Sequence, residues 1–240
     1  MIYVMSDIHG NLPRFRSVMK QIDLQSDDTL YILGDVVDRY PDGIRILRTI
    51  MAMPNVKMLL GNHEYMMLRA LSEPYDEEDR ATPYDLERCF EVWYRNGGRV
   101  THRSFMHQRK VVRAQICAYL NALPLNIDIS VNGKNYKLVH GAPDEKYPLY
   151  AGEYPNRTHF SVWKRWQNHE PLSDDRTMIF GHTPTRYFQP DQPMRIYYGE
   201  NRIGIDCGSG YPKNPEFEFH SYGRLACLRL DDGMEFYSEE

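Results

Sequence analysis

Apolar residues recur along this chain with two periods, and the alternation between them sketches a fold. Ile2–Met5, Thr29–Leu33 and Val56–Leu60 are short apolar runs of strand length. Between them, Phe15, Val18, Met19 and Ile22, and then Ile44, Leu47 and Met51, fall at helical spacing. Asn11 is suited to cap the first of these helices, with Leu12-Pro13 in its first turn. Strands alternating with helices predict an α/β sheet, and sheets of that kind carry their sites beyond the carboxyl ends of the strands.

The middle of the chain reads differently. Pro74 to Pro83 is acidic and predicts a loop. Leu86, Cys89, Phe90 and Trp93 form an apolar helical stripe that stops at Asn96-Gly97-Gly98. Val112, Ile116, Tyr119, Leu120 and Leu123 form another, ended by Pro124. Together they predict a helical, cap-like insertion over about 75–124 within a single domain of residues 1–240, with packing as the role of both stripes. Strands then return. Ile127, Ile129 and Val131 alternate, Asn132-Gly133 is a hairpin turn, and Tyr136 and Leu138 resume the alternation. Met178–Phe180 and Arg202–Ile205 follow, and Leu225–Leu230 with Met234–Tyr237 reads as a closing hairpin about Asp231-Asp232-Gly233.

Composition narrows the function by exclusion. The net charge is −4, from 29 basic and 33 acidic residues among 240, and no Lys/Arg block marks a nucleic-acid footprint. No apolar run approaches the length of a membrane span. Met1-Ile2-Tyr3-Val4-Met5 has no basic leader and runs straight into a polar motif, so a cytoplasmic protein is expected. Cys89, Cys117, Cys207 and Cys227 are widely spaced, which argues for reduced thiols over a zinc ribbon or a disulfide framework.

The polar motifs gather where the strands end. Ser6-Asp7-Ile8-His9-Gly10, Gly34-Asp35-Val36-Val37-Asp38-Arg39, Gly61-Asn62-His63-Glu64, Val139-His140-Gly141, Val162-Trp163-Lys164-Arg165, Phe180-Gly181-His182-Thr183 and Ile205-Asp206-Cys207-Gly208 come in that order. Hard divalent cations take oxygen and imidazole ligands, and one carboxylate can bridge two of them. Asp7 and His9, two apart, can face one ion; Asp35 is the natural bridge; Asn62, His140 and His182 can complete the second ion. Two such ions, roughly 3.5–4 Å apart, would hold a bridging hydroxide and clamp phosphate oxygens for in-line attack. His63 could protonate the leaving oxygen, Asp38 could hold its imidazole in the right tautomer, and Arg39 offers a fork for phosphate. Glu64 is expected to support the ligands or open a helix. The ligand chemistry admits manganese, iron or zinc, with manganese expected to serve best.

These blocks resemble those of the metallophosphoesterase superfamily, in particular its phosphoprotein phosphatase branch and the bacterial and bacteriophage members of that branch. That family's Asp-x-His-Gly, Gly-Asp-x-Val-Asp-Arg-Gly, Gly-Asn-His-Glu, His-Gly and Gly-His-Thr are similar to Asp7–Gly10, Gly34–Arg39, Gly61–Glu64, His140-Gly141 and Gly181–Thr183 here. The resemblance implies a four-layer αββα sandwich with the metals at one sheet edge. It also implies a second phosphate arginine between the last two histidine motifs, for which Arg165 is chosen over Arg157 and Arg176. Asp206 is assigned a structural role in the closing strands. Tyr40 departs from the family's glycine after the Asp-Arg pair and leaves substrate preference open. The activity implied is hydrolysis of phosphate monoesters, foremost phosphoserine and phosphothreonine on proteins. The alternative is a dinucleoside polyphosphate or another small phosphate compound, since bacterial diadenosine tetraphosphatases share most blocks but often lack the Asp-Arg pair. A catalytically silent phosphoprotein-binding module is a third reading, opposed by His63 and Asp38, which a scaffold does not need. The oligomeric state stays open.

Overall fold

A computed structural model of the chain describes residues 1–71, 83–166, 170, 175–211 and 223–239. Residues 74–82 of the acidic segment, and the side chain of Leu86, lie outside what is described. The chain runs β1 (Ile2–Met5), α1 (Leu12–Ile22), β2 (Thr29–Ile32), α2 (Gly43–Met51), β3 (Val56–Met58) and α3 (Asn62–Leu71). It continues with α4 (Pro83–Arg95), α5 (Arg99–Met106), α6 (Lys110–Asn121), β4 (Asn126–Val131), β5 (Lys134–Val139) and α7 (Arg157–Trp163). It ends with β6 (Thr177–Phe180), β7 (Tyr197–Gly199), β8 (Arg202–Gly204), β9 (Ala226–Arg229) and β10 (Glu235–Tyr237). The expected elements are present, several a residue or two shorter than their apolar runs.

Two five-stranded mixed sheets result, ordered β10-β9-β1-β2-β3 and β4-β5-β6-β8-β7. In each, the three strands that lead to motifs run parallel: β1, β2 and β3 in the first, β5, β6 and β8 in the second. Alternation along the strands sorts side chains to opposite faces. Val4, Leu33, Leu138, Ile179 and Ile205 meet in one buried cluster between the sheets. Met5, Ile32 and Met58 turn outward to the helices, joining Val18, Leu47, Trp93, Phe105, Ile116 and Leu120 in the largest cluster. Val139, Met178 and Phe180 pack on Phe160 of α7 on the far side. Three apolar layers between four structural layers give the αββα sandwich.

Caps and turns confirm the local logic. The Asn11 side chain accepts from Arg14 N at 3.3 Å, opening α1, and Asn132 and Gly133 both take positive φ in the β4–β5 hairpin. Helix α3 was foreseen only as one that Glu64 could open, and three further elements were not read from the sequence. The first, α5, is only eight residues long, and its buried pair Thr101 and Phe105 gives too little period to detect. In α7 the apolar residues are three in a turn and a half, and β7 is three residues long. The four cysteines are free, with Cys207 and Cys227 buried. Among the described residues no helix is long and apolar enough to cross a membrane.

Candidate metal centre

Six strand ends converge on one buried point at the seam of the two sheets. From the first sheet come Asp7 and His9 after β1, Asp35, Asp38 and Arg39 after β2, and Asn62 and His63 after β3. From the second come His140 after β5, His182 after β6 and Asp206 after β8. Two hydrogen bonds stitch the sheets there. His140 Nδ1 donates to the Leu33 carbonyl at 2.6 Å, and the His182 backbone N–H donates to Asp7 Oδ2 at 3.0 Å. Asp7, His9, Asp35, Asp38, Arg39 and His182 all hold positive φ, between 53° and 72°. A non-glycine residue pays strain of order 1 kcal/mol or more for such a conformation, and it persists where surrounding contacts over-determine it.

The ring nitrogens show what the site can hold. A backbone carbonyl can only accept, so its histidine partner must carry the proton on the nitrogen that faces it. Val37 O fixes the proton on His9 Nδ1 at 3.2 Å, Leu33 O on His140 Nδ1, and Trp163 O on His182 Nε2 at 3.1 Å. Each histidine therefore turns a lone pair inward. His9 Nε2 lies 3.7 Å from Asp7 Oδ1 and 3.8 Å from Asp35 Oδ2. His140 Nε2 lies 3.4 Å from Asp35 Oδ1, and His140 Nε2 and His182 Nδ1 each lie 2.9 Å from Asn62 Oδ1. Nitrogens and oxygens with nothing but lone pairs to offer converge on either side of the Asp35 carboxylate. Cations would complete that arrangement, and the donor set has the oxygen and imidazole chemistry that two divalent ions would take. Potential metal-holding groups occur on both sides: His9, Asp35 and His63, and Asp35, His140 and His182.

Burial shapes the charges. It depresses His9, helped by the Arg39 and His63 charges, and depresses His182, helped by His140 and Arg165. Both rings are thus kept neutral, as metal ligands must be. Burial first, then the Asp206 and Asp35 charges, lifts the Asp7 carboxyl well above its ordinary range. Three carboxylates crowded out of water repel one another, and cations relieve that repulsion.

His63 faces the same space from another side. Its Nδ1–H donates to Asp38 Oδ2 at 2.7 Å, leaving Nε2 pointed into the centre, 3.8 Å from Asp35 Oδ2 and 3.4 Å from Arg39 Nη2. Burial opposes its protonation, but the Asp35 and Asp38 carboxylates outweigh burial and raise it. Arg39 is exposed, with its guanidinium 5.9 Å over the Tyr211 ring. Arg165 is exposed beside the second ligand group, Nη1 3.4 Å from the His182 carbonyl. The two arginines set aside lie elsewhere: Arg157 pairs with Asp144 at 3.6 Å, and Arg176 with Asp128 at 2.6 Å and Glu145 at 3.4 Å. The Tyr40 hydroxyl donates to the Tyr211 carbonyl at 3.0 Å, tying the Asp38-Arg39 turn to the loop after β8.

Glu64 carries more than the sequence suggested. Its carboxylate accepts from the backbone N–H of Asp35 and Val36, both at 2.8 Å, and of Val37 and Gly61, both at 3.2 Å. It thereby moulds the turn that presents Asp35. A side chain on Gly61 would strike Asp35 Oδ1 at 2.3 Å, so only glycine lets this turn close. Burial and the Asp35 charge push the Glu64 carboxyl up to about 7, against the pull of those backbone donors. Asp206 is also nearer the chemistry than a purely structural reading implied. It is buried, accepts from Gly208 N at 2.9 Å, and feels the Arg39 and Arg165 charges.

Comparison with known proteins assigns the class. The profile of the calcineurin-like phosphoesterases matches residues 1–206. The chain belongs to that family, and its class is phosphoric ester hydrolase. A symmetrical bis(5'-nucleosyl)-tetraphosphatase of Delftia acidovorans is 42% identical over 71 residues, which are 29% of this chain and 25% of that protein. The match thus spans about a quarter of the curated relative. A crystal structure described as a candidate diadenosine tetraphosphatase superposes with a TM-score of 0.61 at 17% identity, covering 98% of this chain and 91% of that one. A protein serine/threonine phosphatase from Saccharomyces cerevisiae superposes with a TM-score of 0.56 at 12% identity, covering 100% of this chain and 79% of that one. At such identities the two structures speak for the fold alone.

Proposed function

We propose that the chain is a dinuclear-metal phosphatase whose substrates are small phosphate compounds of the dinucleoside polyphosphate class. The observation that carries the chemistry is the convergence of inward lone pairs on both sides of Asp35, with the His63 Nε2 edge facing them. Asp7, His9 and Asp35 would hold one cation, and Asp35, Asn62, His140 and His182 the other. When bound, two such ions supply Lewis acidity and a nucleophile at neutral pH. Arg39 and Arg165, from opposite sides of the centre, bind non-bridging phosphate oxygens, where charge spreads in the transition state. His63, protonated at Nε2 and held by Asp38, gives its proton to the leaving oxygen as the P–O bond breaks. Glu64 keeps Asp35 in place through the turn it binds.

The relatives support the proposed substrate class. The aligned curated proteins are symmetrical bis(5'-nucleosyl)-tetraphosphatases, which supports the dinucleotide over a phosphoprotein. The Asp38-Arg39 pair keeps a second reading alive, hydrolysis of phosphoserine and phosphothreonine esters. Incubation of the manganese-loaded protein with diadenosine tetraphosphate and with a phosphoserine peptide separates the two. Rapid release of ADP as the sole nucleotide product, with slow release of phosphate from the peptide, is expected. The reverse order of rates would move the assignment to phosphoproteins, and no hydrolysis of either would overturn both substrate readings.

A further inference from the structure

The helices between β3 and β4 read as packing elements in the sequence, yet three residues of theirs touch the Asp38-Arg39 turn directly. The Trp93 Nε1–H, near the end of α4, donates to Asp38 Oδ2 at 2.8 Å and Oδ1 at 3.1 Å. The Gly97 carbonyl, at the corner between α4 and α5, accepts from Arg39 N at 3.2 Å. The Thr101 hydroxyl, in the first turn of α5, accepts from Asp38 N at 2.8 Å. These contacts come at four-residue intervals along the insertion and lie over two consecutive residues that hold positive φ.

We propose that Trp93 and Thr101 are positioning residues for the His63–Asp38 pair, acting through Asp38. The inference rests on the reading of His63 as the general acid.

Asp38 is wholly buried, and so are Trp93 and Thr101. A carboxylate out of water needs donors, and a carboxylate with a single donor is free to turn about its last bond. The indole N–H spans both oxygens, so it fixes the plane of the carboxylate while His63 Nδ1–H binds Oδ2. That plane decides where His63 Nε2 points, and a general acid displaced by about 1 Å loses much of its effect. Thr101 acts on the backbone. By satisfying Asp38 N–H it holds a conformation, φ 72°, that a non-glycine residue leaves when it can. The Asn96-Gly97-Gly98 sequence then has a purpose beyond ending a helix. A side chain on Gly98 would lie 2.4 Å from Trp93 Nε1 and displace the indole from the carboxylate. The largest apolar residue of the insertion is thus the one that carries a polar hydrogen bond into the centre, which explains a tryptophan where phenylalanine would fill much the same space.

The test uses leaving groups of different basicity. Phenyl phosphate expels a strongly basic oxygen and needs the acid, whereas 2,4-dinitrophenyl phosphate expels a weakly basic one and does not. On the full-length manganese-loaded protein, Trp93→Phe is expected to lower kcat for phenyl phosphate by on the order of tenfold or more, within the range of a lost general acid. The loss for 2,4-dinitrophenyl phosphate should be several times smaller, and metal content unchanged. Thr101→Val should show the same selectivity and Thr101→Ser should restore the rate. A second readout needs no metal. The Trp93 indole proton, one of three in the chain and assigned by its loss in Trp93→Phe, should resonate downfield and exchange slowly, and Asp38→Ala should move it upfield. His63→Asn is run alongside. Equal losses on both esters from Trp93→Phe and Thr101→Val, with His63→Asn selective, would reduce the helices to packing and overturn the proposal alone. A non-selective His63→Asn would instead remove the general acid and the proposal with it. Should Trp93→Phe not fold, the Thr101 pair decides by the same criterion.

Discussion

The half of the centre proposed to face metal and the half proposed to handle proton and phosphate come from different parts of the chain. The first is made of residues that follow strands of both sheets, Asp7 and His9, Asp35, His140 and His182, with Asn62 at the start of α3; the three rings are fixed by backbone carbonyls and Asp35 by the Glu64-bound turn. The second takes Asp38 and Arg39 from the turn after β2 and His63 from α3, and rests Asp38, the partner of His63, on α4 and α5. Its other arginine, Arg165, comes from the segment just after α7. A rigid frame with short connections suits ligands that must keep fixed places around ions. A helical rest would let the proposed acid be positioned independently of them. The halves should therefore fail differently.

The largest effect belongs to Asp35→Ala. Asp35 is the one carboxylate shared by both groups of candidate ligands, so its loss should empty both positions and abolish turnover. Metal analysis and an aryl phosphate assay check this, and chelator treatment of the unaltered protein should reproduce it. A variant that keeps two ions per chain and turns over would break the proposed bridge.

His63→Asn comes next and should divide the halves. The variant is expected to bind its metals normally and to lose about 10²–10⁴-fold in kcat on a substrate with a basic leaving group. If it arrives without metal, the His9, Asp35 and His63 grouping is a ligand set and the two-halves division is wrong.

The same division explains what could be read from the sequence. The residues proposed as ligands, which the structure does bring together, were legible because each follows an apolar run and sits in a short motif, and strand ends in an α/β sheet face one edge whatever the loop lengths. An α/β sheet followed from strands alternating with helices, whereas the two-sheet, four-layer arrangement came only with the family resemblance; in the structure Val4 packs between the sheets while Tyr3 and Met5 face the helices. What stayed hidden were the contacts across the chain. Trp93 looks like one more apolar residue in a helical stripe, and nothing local reveals that its N–H meets Asp38, 55 positions away. Thr101 sits in a helix too short to give a period. Glu64 was visible as part of Gly-Asn-His-Glu, but its four backbone partners exist only once the Asp35 turn has closed on it. The order of substrates was not legible either. The Asp38-Arg39 pair pointed first to phosphoproteins, while the curated relatives back the dinucleotide better.

Arg39→Lys is the third expectation. The substitution keeps the charge and loses the fork, and Arg39 Nη2 already lies 3.4 Å from His63 Nε2, on the side where a phosphate would be gripped. A fall in kcat/KM of about tenfold or more is expected, above roughly 1.4 kcal/mol of transition-state stabilisation. Metal content should not change, and inhibition by free phosphate should weaken. An unaltered kcat/KM would remove Arg39 from the phosphate half.

The smallest expected effect is at Arg165, and it sharpens the comparison most. Arg165 is exposed, and its contact with the His182 carbonyl is long at 3.4 Å. Arg39, equally exposed, has its guanidinium over the Tyr211 ring and its Nη2 3.4 Å from His63 Nε2, so its loss is expected to cost more. Arg165→Lys should therefore cost only several-fold in kcat/KM, with weaker phosphate inhibition and full metal occupancy. Arg157→Lys and Arg176→Lys, tied to Asp144 and to Asp128 and Glu145 away from the centre, should change neither rate nor inhibition. The outcome turns on which residue governs phosphate affinity. Loss of inhibition at Arg176 or Arg157, with Arg165→Lys unaffected, would place the second phosphate arginine elsewhere. If Arg165→Lys lowers metal occupancy instead, then Arg165 steadies the His182 loop, and its contribution belongs to the ligand half.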